Sequence, residues 1–165
     1  MWTEVSATVP LSPAKAFEVF THQINTWWPR AGVFPYSFAP KSTAADHICF
    51  ARNERLHERF ADGTDYTIGE VLDWDAPNRI VHEWKAPDWS EPTIVTVSFE
   101  HAGHHCLVTQ RQDGFDEADV GDLLPYYDIG NRQIFAAFVA HCNAIHELQM
   151  LCADGPIGAA RPATM

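Results

Sequence analysis

Between Tyr66 and Gln112 apolar residues recur at every second position, and from Asn131 to Cys152 they recur at every third or fourth. That switch constrains the fold more than any other feature of the chain. "YTIGEVLDWD" sets Tyr66, Ile68, Glu70, Leu72 and Trp74 against Thr67, Gly69, Val71 and Asp73. "RIVHEWK" sets Ile80, His82 and Trp84 opposite Val81 and Glu83, "TIVTVSFE" aligns Val95, Val97 and Phe99, and "HCLVTQRQ" aligns Cys106, Val108 and Gln110. Period-two alternation marks strands with one buried face. The connections "APN", "APDWSEP" and "HAGH" are short, so successive strands must run antiparallel. In the last third, Ile134, Phe138, Cys142, Ile145, Gln149 and Cys152 form one helical stripe, widened by Phe135, Val139, His146 and Leu148. One sheet with a single apolar face and one long helix with a broad apolar arc bury each other. A curved sheet closed over such a helix leaves a space between them, where a ligand fits.

The first third completes the pattern. "TEVSATV" alternates Val5, Ala7 and Val9 against Glu4, Ser6 and Thr8, a strand with one wet face. Ser12 is placed to cap a helix and Pro13 suits its first position. Ala16, Phe17, Val19 and Phe20 give its apolar stripe to about His22, and Asn25 or Thr26 can cap a further single turn carrying Trp27 and Trp28. Residues 32–46 read as an irregular loop, "HICFARN" and "RLHERFA" as short strands around a turn near Asn53, and "ADGTD" as a turn. The acidic stretch "FDEADVGDLLPYYDIG" reads as a bridge to the long helix. The expected architecture is therefore α+β: a curved antiparallel sheet of about six or seven strands around a long C-terminal helix, with short helices after the first strand. Residues 1–153 form one domain and 154–165 a loose tail.

Composition narrows the function. Twenty-two acidic against 11 basic residues give a formal charge of -11, which repels nucleic acid and anionic membrane surfaces. No stretch approaches the roughly 18 apolar residues of a membrane span. Met1 is followed by polar alternation rather than by the apolar run of a signal peptide. Cys49, Cys106, Cys142 and Cys152 form no CxxC pair and read as reduced thiols. Together these point to a soluble cytoplasmic protein with no cofactor, monomeric or homodimeric.

Three stretches carry a family resemblance: the early helix running into "WW" (Phe17 to Trp28), "GEVLDWDAPNRIVHEWK" (Gly69 to Lys85), and "TIVTVSFEHAGHHCLVTQRQDGF" (Thr93 to Phe115) followed by the long helix. In this order the chain resembles the helix-grip proteins of the START/Bet v 1-like (SRPBCC) superfamily. Its nearer likeness is to the branch related to the C-terminal domain of the activator of the Hsp90 ATPase. The resemblance implies a small protein with an internal cavity. Members bind lipids, hormones or polyketides, act as cyclases or hydrolases, or stimulate a chaperone ATPase. Two departures bear on ligand size: "HICFARNERLHERF" stands where a glycine-rich strand opening is usual, and the segment 116–130 is long and acidic.

Strand faces then give an expected cavity lining of Trp28, Phe34, Tyr66, Ile68, Leu72, Trp84, Val97, Cys106, Val108, Phe138, Cys142 and Ile145. A register slip of one residue would substitute Val71, Val81 and Glu83. The expected occupant is a small apolar or aromatic molecule. Six tryptophans, Trp2, Trp27, Trp28, Trp74, Trp84 and Trp89, are more than a small core needs, so either they fill the cavity or some face a ligand. For a cyclase- or hydrolase-type reaction the candidate acid–base groups are Glu70, Tyr66 and His146. A Cys142–His146 pair lies at i,i+4 but lacks an orienting acid. His101, His104 and His105 cluster at a turn, without a spacing that sets ligands tetrahedrally around zinc, and no metal is expected. A chaperone-cofactor-like interaction protein would instead show an exposed apolar patch, for which Phe34, Tyr36 and Phe38 are the candidates.

Overall fold

The computed structural model describes residues 1–30, 36–40 and 45–154. Among these residues are seven strands: β1 (Trp2–Val9), β2 (Ala45–Ala51), β3 (Arg55–Phe60), β4 (Asp65–Asp75), β5 (Arg79–Trp84), β6 (Thr93–Ala102) and β7 (His105–Asp113). They form one sheet in the order β1-β7-β6-β5-β4-β3-β2, and every neighbouring pair is antiparallel. The strands from β2 to β7 follow one another as a meander, and β1 closes the far edge beside β7. Three helices accompany them: α1 (Pro13–Thr21), α2 (Ile24–Trp27) and the 31-residue α3 (Leu124–Asp154). This is the helix-grip arrangement that the two periodicities require.

Local chemistry explains the ends of the elements. Ser12 Oγ accepts the Lys15 amide at 3.2 Å and Pro13 opens α1, as expected. The chain reverses between β2 and β3 through Arg52 and Asn53, both at positive φ. The Trp27 indole N–H donates to the Val19 carbonyl at 2.8 Å, which folds α2 back onto α1. The core lies on the concave face. Val9, Ile80, Val97, Phe99, Cys106 and Val108 from the sheet meet Phe17 and Phe20 from α1 and Phe138 and Cys142 from α3, all at most 4% exposed. Phe20 packs edge-on against Phe99 and Phe138 at ring distances of 5.9 and 5.1 Å.

Two departures from the sequence reading matter for the site. β4 does not alternate throughout. Its pairing with β3 skips Ile68, between Leu56↔Gly69 and His57↔Thr67, and its pairing with β5 skips Leu72, between Val71↔His82 and Asp73↔Val81. Each bulge resets which side faces in. Ile68 is buried, Val71 and Trp74 pack on the core, and Glu70 and Leu72 are turned out, Leu72 being 53% exposed. Leu72 and Glu70 are thus corrected from the inner to the outer face. Gly69 sits between the bulges because the β5 backbone passes where a side chain would be: a Cβ there would lie 1.9 Å from the Glu83 carbonyl oxygen.

The second departure is the start of the long helix. It begins at Leu124 instead of near Asn131, so half of the supposed acidic bridge is helical. A 3-10 turn (Gly121–Leu123) leads in. Pro125 then falls in the first turn, where its missing N–H removes no hydrogen bond. These extra turns carry Tyr126, Tyr127 and Gly130 to the mouth of the space under the sheet.

Candidate functional site

A cavity of about 160 Å³, partly open to solvent, lies between the first turns of α3, the β3–β5 half of the sheet and residues 36–38. Its walls are Trp28, Tyr36, Phe38, Ile68, Trp84, Tyr126, Tyr127 and Ile134, with Ser37, Glu58, Gly130 and Asn131 as the other lining residues. The aromatic wall is held in place by its own polar ends. Trp28 donates its indole N–H to the Tyr36 carbonyl at 2.8 Å, and Trp84 donates to the Tyr127 hydroxyl at 3.3 Å. The Tyr36 hydroxyl donates to Gln133 Oε1, which fastens residues 36–38 to α3. Trp28 and Trp84 stack with centroids 6.1 Å apart, and Phe38 leans on Trp84 at 5.6 Å and on Tyr66 at 5.3 Å. With the indole N–H groups used internally, the rings offer apolar faces and edges to the cavity.

Two polar features break this apolar lining. One is Glu58, on the inward side of β3 and only 2% exposed. Its Oε1 accepts the Phe38 amide at 2.8 Å. Burial pushes its carboxyl pKa up, against the opposing pull of that amide, the Ser37 hydroxyl and the Arg30 guanidinium. The other is Asn131 on α3, whose amide donates to Gln112 Oε1 at 2.7 Å; Gln112 donates to Thr93 Oγ1 at 2.8 Å, and Thr93 to the Trp84 carbonyl at 3.0 Å. This buried relay ties α3, β7, β6 and β5 together directly behind the cavity. A smaller void of about 30 Å³ lies further in, beside His82 and Gln110, and shares Trp28, Trp84, Asn131 and Ile134 with the first. The tryptophan pair therefore divides the outer space from the inner one.

Of the residues expected to line the space, Trp28, Ile68 and Trp84 border the cavity. Tyr66 supports Phe38 from behind, and its hydroxyl donates to the Lys85 carbonyl. Val97, Cys106, Val108, Phe138 and Cys142 are fully buried in packed core and border neither space. They fill the interval between sheet and helix that the strand faces alone had left open. Ile145 is half-buried further along α3, Leu72 is outside, and Phe34 lies outside the described residues. Tyr36 and Phe38 are half-buried against the core, so they do not form the exposed patch considered above.

The acid–base candidates do not converge. Glu70 is exposed, its backbone amide donating to Glu83 Oε2 at 3.3 Å, and His146 is half-buried on α3 away from the cavity. Burial pushes the Cys142 thiol up to about 12 and the Cys106 thiol up to about 11, so neither is a thiolate near neutrality. His57 Nε2 lies 3.0 Å from Cys49 Sγ and its Nδ1 3.8 Å from Asp65 Oδ2, and none of these side chains borders either space described above. Among the described residues no group of three or more His, Cys, Asp or Glu side chains is placed to hold a metal ion. No helix among them is long and apolar enough to cross a membrane.

Glu58, Tyr127 and Asn131 were not singled out from the sequence, and Ile134 was read only as part of the apolar stripe of the helix. Glu58 had a signal: "RLHERF" alternates Leu56, Glu58 and Phe60, which puts the carboxylate on the apolar side. The tyrosine pair had none, because it lies in the turns of α3 that Pro125 disguised, and Asn131 was read only as the start of the helical pattern.

A family model for "Activator of Hsp90 ATPase homolog 1-like protein" matches residues 10–138. The chain belongs to this family. Among solved structures, the AHSA1-like protein from Aeromonas hydrophila is similar with a TM-score of 0.60 at 14% identity, covering 88% of this chain and 94% of its own. Protein MLL2253 from Mesorhizobium loti is similar with a TM-score of 0.58 at 17% identity, over 85% of this chain and 95% of its own. CalU16 from Micromonospora echinospora gives 0.55 at 12% identity, over 95% and 85%. At these identities the likeness is one of fold. No curated protein matches the chain in sequence.

Proposed function

We propose that this AHSA1-like protein binds a small apolar or aromatic molecule in the cavity between Trp28, Trp84 and the first turns of α3. The observation that carries this reading is an aromatic-lined space of about 160 Å³ that stays open beside a core whose own void is only about 30 Å³. Protein interiors close voids of this size unless something holds them apart. Here the indole and phenol groups are pinned by hydrogen bonds to backbone and to one another, which keeps the walls from collapsing inward. The volume suits one aromatic ring, since a cavity of roughly 150 Å³ takes benzene. A ring that buries roughly 150 Å² gains about 4 kcal/mol at most, a dissociation constant near the millimolar range. Tighter binding needs a polar anchor. Binding is favoured over catalysis because the candidate acid–base groups Glu70, Tyr66 and His146 do not gather at the cavity.

The test is native mass spectrometry of freshly purified protein, with a denatured control and extraction of released molecules. A reproducible small-molecule adduct that leaves on denaturation is the expected result. A bare protein mass that also stays bare after incubation with millimolar indole, toluene and benzyl alcohol would contradict it.

A further inference from the structure

The polar anchor that a ring alone lacks is present in the cavity wall. Glu58 is a carboxylate with 2% of its surface exposed, set among aromatic rings. Its existing partners, the Phe38 amide and the Ser37 hydroxyl, leave a carboxylate with acceptor capacity to spare, since two oxygens offer about four lone-pair directions. The nearby guanidinium is that of Arg30, which is committed to the Asn25 side chain and to the Asn25 and Trp28 carbonyls. Burial raises the pKa of Tyr66 and Tyr127, and a second carboxylate, Asp88, adds to the rise at both. The cavity thus joins an electron-rich aromatic wall to negative charge, and both features favour a cation.

We propose that the occupant of this cavity is an aromatic or alkyl amine, whose ammonium group donates to Glu58 while its apolar body lies against Trp28, Trp84 and Phe38. This rests on the binding function proposed above and names the ligand's chemical class. The ammonium supplies hydrogen-bond donors that the carboxylate lacks, and the indole and phenyl faces stabilise the charge through their quadrupoles. An anionic ligand of the same size meets Glu58 as a like charge and is rejected. A neutral isostere keeps the apolar contact and loses the charge-assisted bond.

The test compares three probes that share one ring: benzylamine, benzyl alcohol and benzoate. Each is titrated into the wild-type protein and into Glu58→Gln, with the indole N–H signals of Trp28 and Trp84 as the readout. In the wild type the expected order is amine, then alcohol, then carboxylate, with the amine roughly tenfold or more above the alcohol. In Glu58→Gln, which keeps the shape and the acceptor for Phe38, the gap between amine and alcohol should fall below about twofold. The net charge of -11 attracts every cation, but it changes by only one unit in the variant, so a gap that survives Glu58→Gln would overturn the assignment. Alcohol binding as well as amine in the wild type would also overturn it, and would leave the binding function standing. Failure of all three probes to move either indole signal would remove both. Should the glutamine variant not fold, the wild-type titrations are repeated at high salt, which screens the net charge far more than a contact with buried Glu58: the amine preference should persist, and its loss would overturn the assignment.

Discussion

Asn131→Ala probes the relay that fixes α3 over the sheet. Asn131 is 9% exposed, Gln112 2% and Thr93 0%. Removing the amide donor leaves Gln112 Oε1 buried without its 2.7 Å partner. An orphaned buried acceptor costs about 1–3 kcal/mol. Alanine returns about 0.5 kcal/mol in helix propensity, and the space left opens toward the cavity, so little is added for a sealed void. The net loss should be about 1–2 kcal/mol, read in urea as a midpoint lowered by roughly 0.5–1 M with an unchanged slope. Gln112→Met in the same background takes away the orphaned oxygen, leaving Thr93 bonded to the Trp84 carbonyl. The double variant should therefore be about 1 kcal/mol more stable than the two single effects add up to. Additivity within about 0.3 kcal/mol, together with a midpoint shift below about 0.2 M for Asn131→Ala, would refute the relay as a source of stability.

Three other outcomes follow from the geometry. Gly69→Ala forces a methyl to within 1.9 Å of the Glu83 carbonyl oxygen, so the β4 and β5 backbones must part; a loss of at least about 3 kcal/mol is expected in the same urea assay, against no loss for an alanine at helical Gly130, where a Cβ meets no atom within 4 Å. Burial lowers the His82 imidazole to about 4, from 6.5 in the free side chain. The unfolded chain therefore takes the proton first: His82 contributes its full stability above about pH 6.5, and about 3 kcal/mol of it is lost as the pH falls toward 4. Glu58, whose pKa is raised, acts in the opposite sense over the acid range, so the contribution is read as the wild type minus His82→Gln, a difference that should shrink on acidification; a pH-independent difference would contradict it. Finally, a thiol reagent should label exposed Cys152 and half-buried Cys49 in the folded protein, and Cys106 and Cys142 only after unfolding; native labelling at Cys106 or Cys142, followed by peptide mapping, would show the core to be open.

The sheet was legible wherever strands alternate without interruption. β5, β6 and β7 face as their period-two patterns require, with Ile80, Val97 and Val108 all inside. β4 was misread between Ile68 and Trp74, because a bulge adds a residue without any mark in an alternating sequence. Its sign was Gly69, a small residue where a neighbouring backbone passes close. The long helix was legible from Asn131 onward, where apolar residues set its stripe. Its first turns were not, because Pro125 and Gly130 depress helix propensity and the acidic run before them reads as a loop. The cavity inherits that gap. Its inner wall came from strand faces and the tryptophan pair, whereas its outer wall comes from Tyr127, Asn131 and residues 36–38, whose position depends on where the helix begins. The remaining expected lining, from Val97 to Cys142, is core: alternation tells which side of a strand is apolar, but not whether that side meets a neighbour or a space.

Gly130 offers the most direct measurement. It borders the cavity, and a Cβ built on it meets no atom within 4 Å. Gly130→Phe should place a ring in the space where the ligand is proposed to sit, at little cost to folding, because glycine is the poorer helix residue. Wild type and Gly130→Phe are titrated side by side with benzyl alcohol, following the Trp28 and Trp84 indole N–H signals. The account expects saturable movement of both signals in the wild type and none in a folded Gly130→Phe variant. Equal movement in the two proteins, or no movement in the wild type at millimolar probe, would contradict it.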